Sequence, residues 1–521
     1  MKPIVVPLAL FLFLPLFGLV VPFLFPTGAG LDVLATSTLS HLWNYVLGGY
    51  IASTVVLIFG VGVGVFVLGV GNAWIVASYD FPGKKIFEWA LILPLAVPTY
   101  VMAYLFVDLL QFSGPIQTSL RILLGSDALW FFPDPRSMAG AIWSFSFCLF
   151  PYVYLITRTA FIERSRRLIE VSETLGYSPF QGFINLVLPM ARPAIFAGMA
   201  LALMEVLADF GAVSYFGVQT FATGIFKAWL SFGDRVAAVQ LALGLLSFIL
   251  LIFFVEQSNR SKLRYSSSSQ VRSVTKKLHG KKSFFAFAFC GITLLCGFLL
   301  PAFALLQLLY KQGLNVDIRY LSWLGNSLSV SLITAVISVA LATFFAYAVR
   351  VHSQLSWVNR LLSFGYALPG AVLAIGILSF LEMFQLAWWM SASLLVLVYA
   401  YLVRFLSSSL QSVEAGLARI TPSMDGSAAL LGLSRPQILR RVHIPLLKRS
   451  LMTAGLFVFV DVMKELPATL LLRPFNFDTL AVATYQLAAD ERLAELALPS
   501  LTIVLVGLIP VLLLSRVIAK S

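Results

Sequence analysis

Gly176 to Arg192 reads GYSPFQGFINLVLPMAR, and 256 residues further on Gly432 to Lys448 reads GLSRPQILRRVHIPLLK. The constant offset carries Gly176 onto Gly432, Ser178 onto Ser434, Pro189 onto Pro445 and Arg192 onto Lys448 without a gap. It continues inward, placing Glu205 on Asp461 and Asp209 on Glu465. Self-similarity at a fixed period marks a chain built from copies of one structural unit. Around each glycine the sequence predicts two short amphipathic helices. Gly176 ends one of them in a left-handed conformation, Ser178 caps the next, and Pro179 suits its opening turn. Phe180, Phe183, Ile184 and Val187 then share one face, as do Ile438, Leu439 and Val442 behind Ser434.

Outward from this repeat the chain is strongly apolar. Of its 521 residues 60% are apolar and 11% charged, and the mean hydropathy is +0.92. Soluble domains average about 45–50% apolar and about 25% charged, so lipid is the solvent this chain expects. The net charge of +13 does not indicate nucleic acid. That reading needs a basic face on a soluble module with stacking aromatics, whereas the Phe residues here lie mostly inside apolar runs. Cys148, Cys290 and Cys296 also lie within such runs, which excludes a disulfide framework and a thiolate metal centre and leaves them as small packing residues.

Apolar stretches long enough to cross a bilayer fall at about 4–25, 50–78, 87–107, 137–157, 193–213 and 237–255. A second set falls at about 284–308, 327–349, 362–382, 387–407, 450–471 and 497–515. The fold class is therefore all-α and polytopic, with about 12 transmembrane helices in two pseudo-symmetric halves of six. The first stretch is too long for a signal-peptide core and reads as an uncleaved anchor. Placing both termini in the cytoplasm puts most Lys and Arg inside, as short loops require. Residues 1–255 form the first half and 284–521 the second. The basic stretch 256–283, with Ser266 to Ser269, reads as a cytoplasmic linker suited to anionic headgroups. Both repeated loops, about 160–192 and 413–449, are then cytoplasmic, and two copies suit a two-fold or two-lobed partner.

The run Glu170-Val171-Ser172, three residues, Gly176, nine residues and then Leu186-Val187-Leu188-Pro189 resembles the EAA loop of membrane subunits of binding-protein-dependent ABC importers. The second copy runs from Gly426-Ser427-Ala428-Ala429 through Gly432 to Val442-His443-Ile444-Pro445, with Asp425 one residue before the place of the family's Glu. The resemblance implies a type I importer fold and a coupling role for Glu170, Ser172, Gly176, Leu188 and Pro189 in the first copy. In the second it implies the same role for Asp425, Ala428, Ala429, Gly432, Ile444 and Pro445. It further implies two copies of a cytoplasmic ATPase subunit, a periplasmic substrate-binding protein and a place in the bacterial inner membrane. Within the family, ADFGAVSYFGVQTFATGIF from Ala208 and FVDVMKELPATLLLRPFNFDTLAVATY from Phe459 resemble the ferric-iron permeases. Thiamine and phosphonate permeases are the alternatives.

The residues themselves add a candidate passage. Glu205 and Asp209 lie four apart on one helix face, as do Asp461 and Glu465, each pair inside a span. Carboxylates at membrane depth cost several kcal/mol in hydrocarbon and are expected to face a wet cavity, a partner or each other. Gly211 and Pro467 suggest that both helices break, which membrane depth tolerates only in a cavity lining or inside protein. A passage of hard oxygen groups suits a hard cation. The structural alternative has these carboxylates hydrogen-bonded between helices, with Lys464 neutralising a neighbour. Pro94, Pro98 and Pro369 are expected to kink spans, and His443 to be an exposed loop residue. No catalytic residue, metal ligand or bound cofactor is assigned. No Gly-x-x-x-x-Gly-Lys-Ser/Thr motif occurs, so ATP hydrolysis falls to a separate subunit. An ion-coupled secondary transporter would use the carboxylates but leave the duplicated loops without a task.

Overall fold

The computed structural model describes residues 2–24, 40–125, 133–174, 176–260, 276–313, 316–384 and 393–518. Helix dominates them. The strands among them are a two-residue parallel pairing of Tyr79–Asp80 with Lys276–Lys277. Of the linker, Arg235–Arg260 carries its start as helix, and residues 261–275 with the serine run lie outside the described residues.

Among the described residues nine helices are long and apolar enough to cross a membrane, and two bent helix pairs bring the number to eleven. Eleven of the twelve expected spans correspond to these. The exception is 450–471. The helix there, Ile444–Lys464, carries Lys448, Arg449, Asp461 and Lys464 and ends before Glu465. The expected proline kinks are sharper than kinks. Lys84–Ala96 and Thr99–Leu124 meet at 96°, and Ser353–Ala367 and Gly370–Met383 at 110°. A residue before proline is pushed out of the helical region, and Val97 and Leu368 accordingly sit at ψ of 120° and 124°.

The contacts divide the chain into two compact units that cut across the sequence halves. One comprises Met1–Leu42, Ile225–Leu246 and Asn315–Gln486. In it the first helix, Lys2–Leu24, lies on Gly370–Met383 of the second sequence half. Gly376 and Gly18 permit the approach, since a methyl group on either would collide with the other helix's backbone. Val5, Ala9 and Leu12 complete a core with Phe345, Leu406 and Leu447. The other unit comprises Trp43–Gly224, Ser247–Leu314 and Leu487–Ser521. There Leu47–Ser78 packs along Met138–Thr174, and Leu300–Gln312 along Leu493–Ile518. Cys148 and Cys290 are buried thiols, as packing residues should be.

Candidate functional site

Both repeated loops fold by the same local rules. Gly176 and Gly432 adopt φ of +73° and +78° with open space around them, a conformation that a Cβ disfavours. Behind each, a reciprocal cap forms. The Ser178 amide donates to Gln181 Oε1 at 3.0 Å while the Gln181 amide donates to Ser178 Oγ at 3.3 Å, and Ser434 with Gln437 repeats this box.

The expected second short helix is instead the foot of a long one. Helix continues from Pro179–Gly182 through a π-helical turn, Phe183–Val187, into Leu188–Ala208. The second copy runs from Arg435–Ile438 through the π-helical turn Leu439–His443 into Ile444–Lys464. Pro189 and Pro445 supply the reason. A proline inside a helix clashes with the carbonyl four residues back, and at both sites that carbonyl lies in the wider turn, where the spacing of bonds is i to i−5. Before the glycines the copies differ. The first is the tail of Met138–Thr174, whose Glu170 and Ser172 side chains lie outside the described residues. The second is a separate helix, Pro422–Leu430.

The predicted apolar stripe splits. Phe183 packs on Trp74 with ring centres 4.5 Å apart and Val187 is buried, while Phe180 is 71% exposed and Ile184 43%. In the second loop Leu430 and Leu431 are 91% and 82% exposed. Ala428 is buried and Ala429 exposed; Ile444 and Pro445 are exposed, whereas Leu188 and Pro189 are half-buried. His443 corrects the expectation of an exposed loop residue. It is fully buried, its Nε2 lies 2.6 Å from Asp425 Oδ1, and its ring stands edge-on to Tyr347 at 5.4 Å.

Asp425 also accepts from Arg350 Nε at 2.8 Å. Burial works against its ionised form, but the Arg350 guanidinium and then the His443 ring outweigh this and hold its carboxyl below its usual value. A carboxyl with a depressed folded-state pKa stabilises at all pH above its unfolded value, and that contribution is lost as pH falls through the folded value. Amide protection of Pro422–Leu430, corrected for intrinsic exchange, should therefore stay flat through neutral pH and fall only below about pH 4. A decline beginning above about pH 6 would contradict this assignment.

The acidic helices break as predicted, and at matching residues. Leu188–Ala208 stops before Asp209 and resumes as Gly211–Tyr215; Ile444–Lys464 stops before Glu465 and resumes as Pro467–Leu472. Each carboxylate caps the piece that follows it. Asp209 accepts from the Ala212 amide at 2.7 Å and from the Thr99 hydroxyl. Glu465 accepts from the amides of Ala468 and Thr469, both at 2.9 Å, from the Thr469 hydroxyl at 2.6 Å and from Arg404 Nη1 at 3.0 Å. A carboxylate at a helix N-terminus meets unsatisfied amides and the positive end of the dipole. Glu205 and Asp461, one turn earlier, are half-buried. The cation bonded to Glu465 is thus Arg404, 61 residues away, a pairing no sequence spacing announced. Its one legible sign was an arginine inside an apolar stretch. Thr99 and Gly370, each the residue after a bend proline, touch these carboxylates, and no spacing in the sequence places them there.

Residues 69–264 match the family described as binding-protein-dependent transport system inner membrane component. Over 514 residues, 96% of both chains, the sequence is 29% identical to the Fe(3+)-transport system permease protein FbpB 2 of Haemophilus influenzae. It is 30% identical over 149 residues to the sulfate transport system permease protein CysT of Escherichia coli, covering 29% of this chain and 51% of that one. The molybdenum transport system permease protein ModB of Escherichia coli is 28% identical over 174 residues, 33% of this chain and 71% of its own.

Proposed function

From the premise that this chain belongs to the membrane permeases of binding-protein-dependent ABC importers, we propose that it carries ferric iron across the bacterial inner membrane. The similarity to an Fe(3+) permease along 96% of both chains is the observation that carries the cargo. The carboxylates of the first break support it, because Glu205 and Asp209 offer hard oxygen groups of the kind that suit a hard cation. We place both termini in the cytoplasm. A periplasmic binding protein delivers the iron, two copies of a separate ATPase hydrolyse the ATP, and this chain needs no cofactor.

The continuous helices suggest how force travels. Phe180, Leu430 and Leu431 are apolar knobs at the aqueous ends of their loops, where exposed apolar surface calls for a partner. An ATPase that grips them holds the foot of a helix that runs unbroken to Asp209 or Glu465, about 30 residues at about 1.5 Å each. Movement at the foot is then delivered to the break, where the half-helices Gly211–Tyr215 and Pro467–Leu472 begin. Glu170, Ser172, Gly176, Leu188 and Pro189 of the first loop and Ala429, Gly432, Ile444 and Pro445 of the second form the docking surface in this scheme. Glu205, Asp209 and Asp461 belong to the route, while Glu465, bonded to Arg404 with its side chain 1% exposed, holds the second break together.

Uptake of labelled ferric iron, with sulfate, molybdate and thiamine in parallel, tests the cargo in cells with and without this gene. Loss of iron uptake alone is expected. Loss of an oxyanion or thiamine instead would keep the permease and overturn the cargo.

A further inference from the structure

Among the described residues, the two coupling loops are fastened to their membrane helices by different chemistry. In the unit containing Trp43–Gly224, the fastening among the described residues is aromatic. Trp74, near the end of Leu47–Ser78, packs on Phe183 of the π-helical turn and on Phe161 at 5.7 Å. In the unit containing Asn315–Gln486 it is ionic and directional. Ile318–Val351 ends in Tyr347 and Arg350, and four segments converge on them. Arg350 donates to Asp425 Oδ2 at 2.8 Å, to the Leu417 carbonyl at 2.9 Å and to the Ile420 carbonyl at 2.8 Å. Tyr347 donates to the Arg435 carbonyl at 2.8 Å, and Asp425 closes the network on buried His443.

An apolar contact tolerates sliding, because dispersion attraction has no preferred direction. A guanidinium with three fixed acceptors does not, because each charge-assisted bond weakens steeply off its axis. The Arg350 fork holds the end of Leu394–Leu417, the helix Pro422–Leu430 and, through Asp425, the foot of Ile444–Lys464 in one geometry.

We propose that Arg350, Asp425 and His443 are positioning residues that make the second coupling loop move as one body with the Ile318–Val351 helix, so that this loop drives its span rigidly. The proposal rests on the reading of these loops as the ATPase docking surface. It also gives Asp425, which stands one place before the family's Glu, an inward task rather than a partner-facing one.

The test uses the whole importer in lipid vesicles, with its ATPase and with binding protein loaded with ferric iron, and counts ATP hydrolysed per iron imported. Asp425→Asn removes the ion pair, and His443→Phe keeps the ring against Tyr347 while removing the bond to Asp425. Both should raise ATP consumed per iron at least fivefold, and Asp425→Glu should return the ratio to within twofold of the parent. Co-purification of the ATPase checks that each variant assembles. If the ATPase does not co-purify with the parent chain, the docking reading fails and the proposal falls with it. If the parent couples and both variants keep its ratio, even with both rates lowered together, the network only supports the fold and the proposal is overturned.

Discussion

Gly370→Ala is expected to leave little folded protein in the membrane. The added methyl group would collide with Glu465 Oε1 and come 2.8 Å from Arg404 Nη1 and 2.9 Å from the Ala468 nitrogen. None of these can retreat cheaply. The Ala468 nitrogen is backbone, and the Glu465 oxygen is held by that amide and by Arg404. The methyl therefore separates an ion pair whose carboxylate side chain is 1% exposed and whose guanidinium is 11% exposed. Breaking a buried pair costs about 3–5 kcal/mol, a large share of the 5–15 kcal/mol that typically separates folded from unfolded states. Thermal unfolding of purified protein should show a midpoint lowered by about 10 °C, and an unchanged midpoint would refute the account. The first half shows the contrast, because there the residue after the bend proline is Thr99, and its side chain is used to bond Asp209.

Gly432→Val should act the other way, sparing the fold and disabling transport. The left-handed φ of +78° costs a side chain about 1–2 kcal/mol, yet nothing lies within 4 Å of the added carbon. The turn shifts while the core stays packed. Because Gly432 sits between Leu430 and Leu431, both nearly fully exposed, and the cap at Ser434, the shift re-aims the apolar knobs. Iron uptake should fall more than tenfold with less than a twofold change in the amount of protein in the membrane. Normal uptake would remove the docking role assigned to this loop.

These two glycines differ in how they could be found. Gly432 is legible, because glycine, a Ser cap three residues before Gln437 and a proline make a local pattern that the chain repeats at Gly176. Its geometry depends on neighbours one to five positions away, so sequence carries it. Gly370 is silent in the sequence. Its importance comes from Arg404 and Glu465, which reach it from two other helices.

The same division runs through the molecule. By itself the sequence determined that the chain is a bundle of apolar helices, that it is a tandem repeat, where its loops turn, and that its acidic helices break beside Asp209 and Glu465. Each follows from hydropathy or from contacts within one or two turns. Only the tertiary structure decided which helices are neighbours: Lys2–Leu24 joins the unit of Gly370–Met383, and Leu300–Gln312 joins that of Met138–Thr174. It alone paired Arg404 with Glu465 and Arg350 with Asp425, buried His443, and turned two expected kinks into bends of 96° and 110°. The physical reason is that lipid rewards every apolar helix alike, so hydropathy marks a span without naming its partner. The partner is fixed by close packing at small residues and by a few buried polar groups that must find each other, and these contacts join residues far apart in the chain.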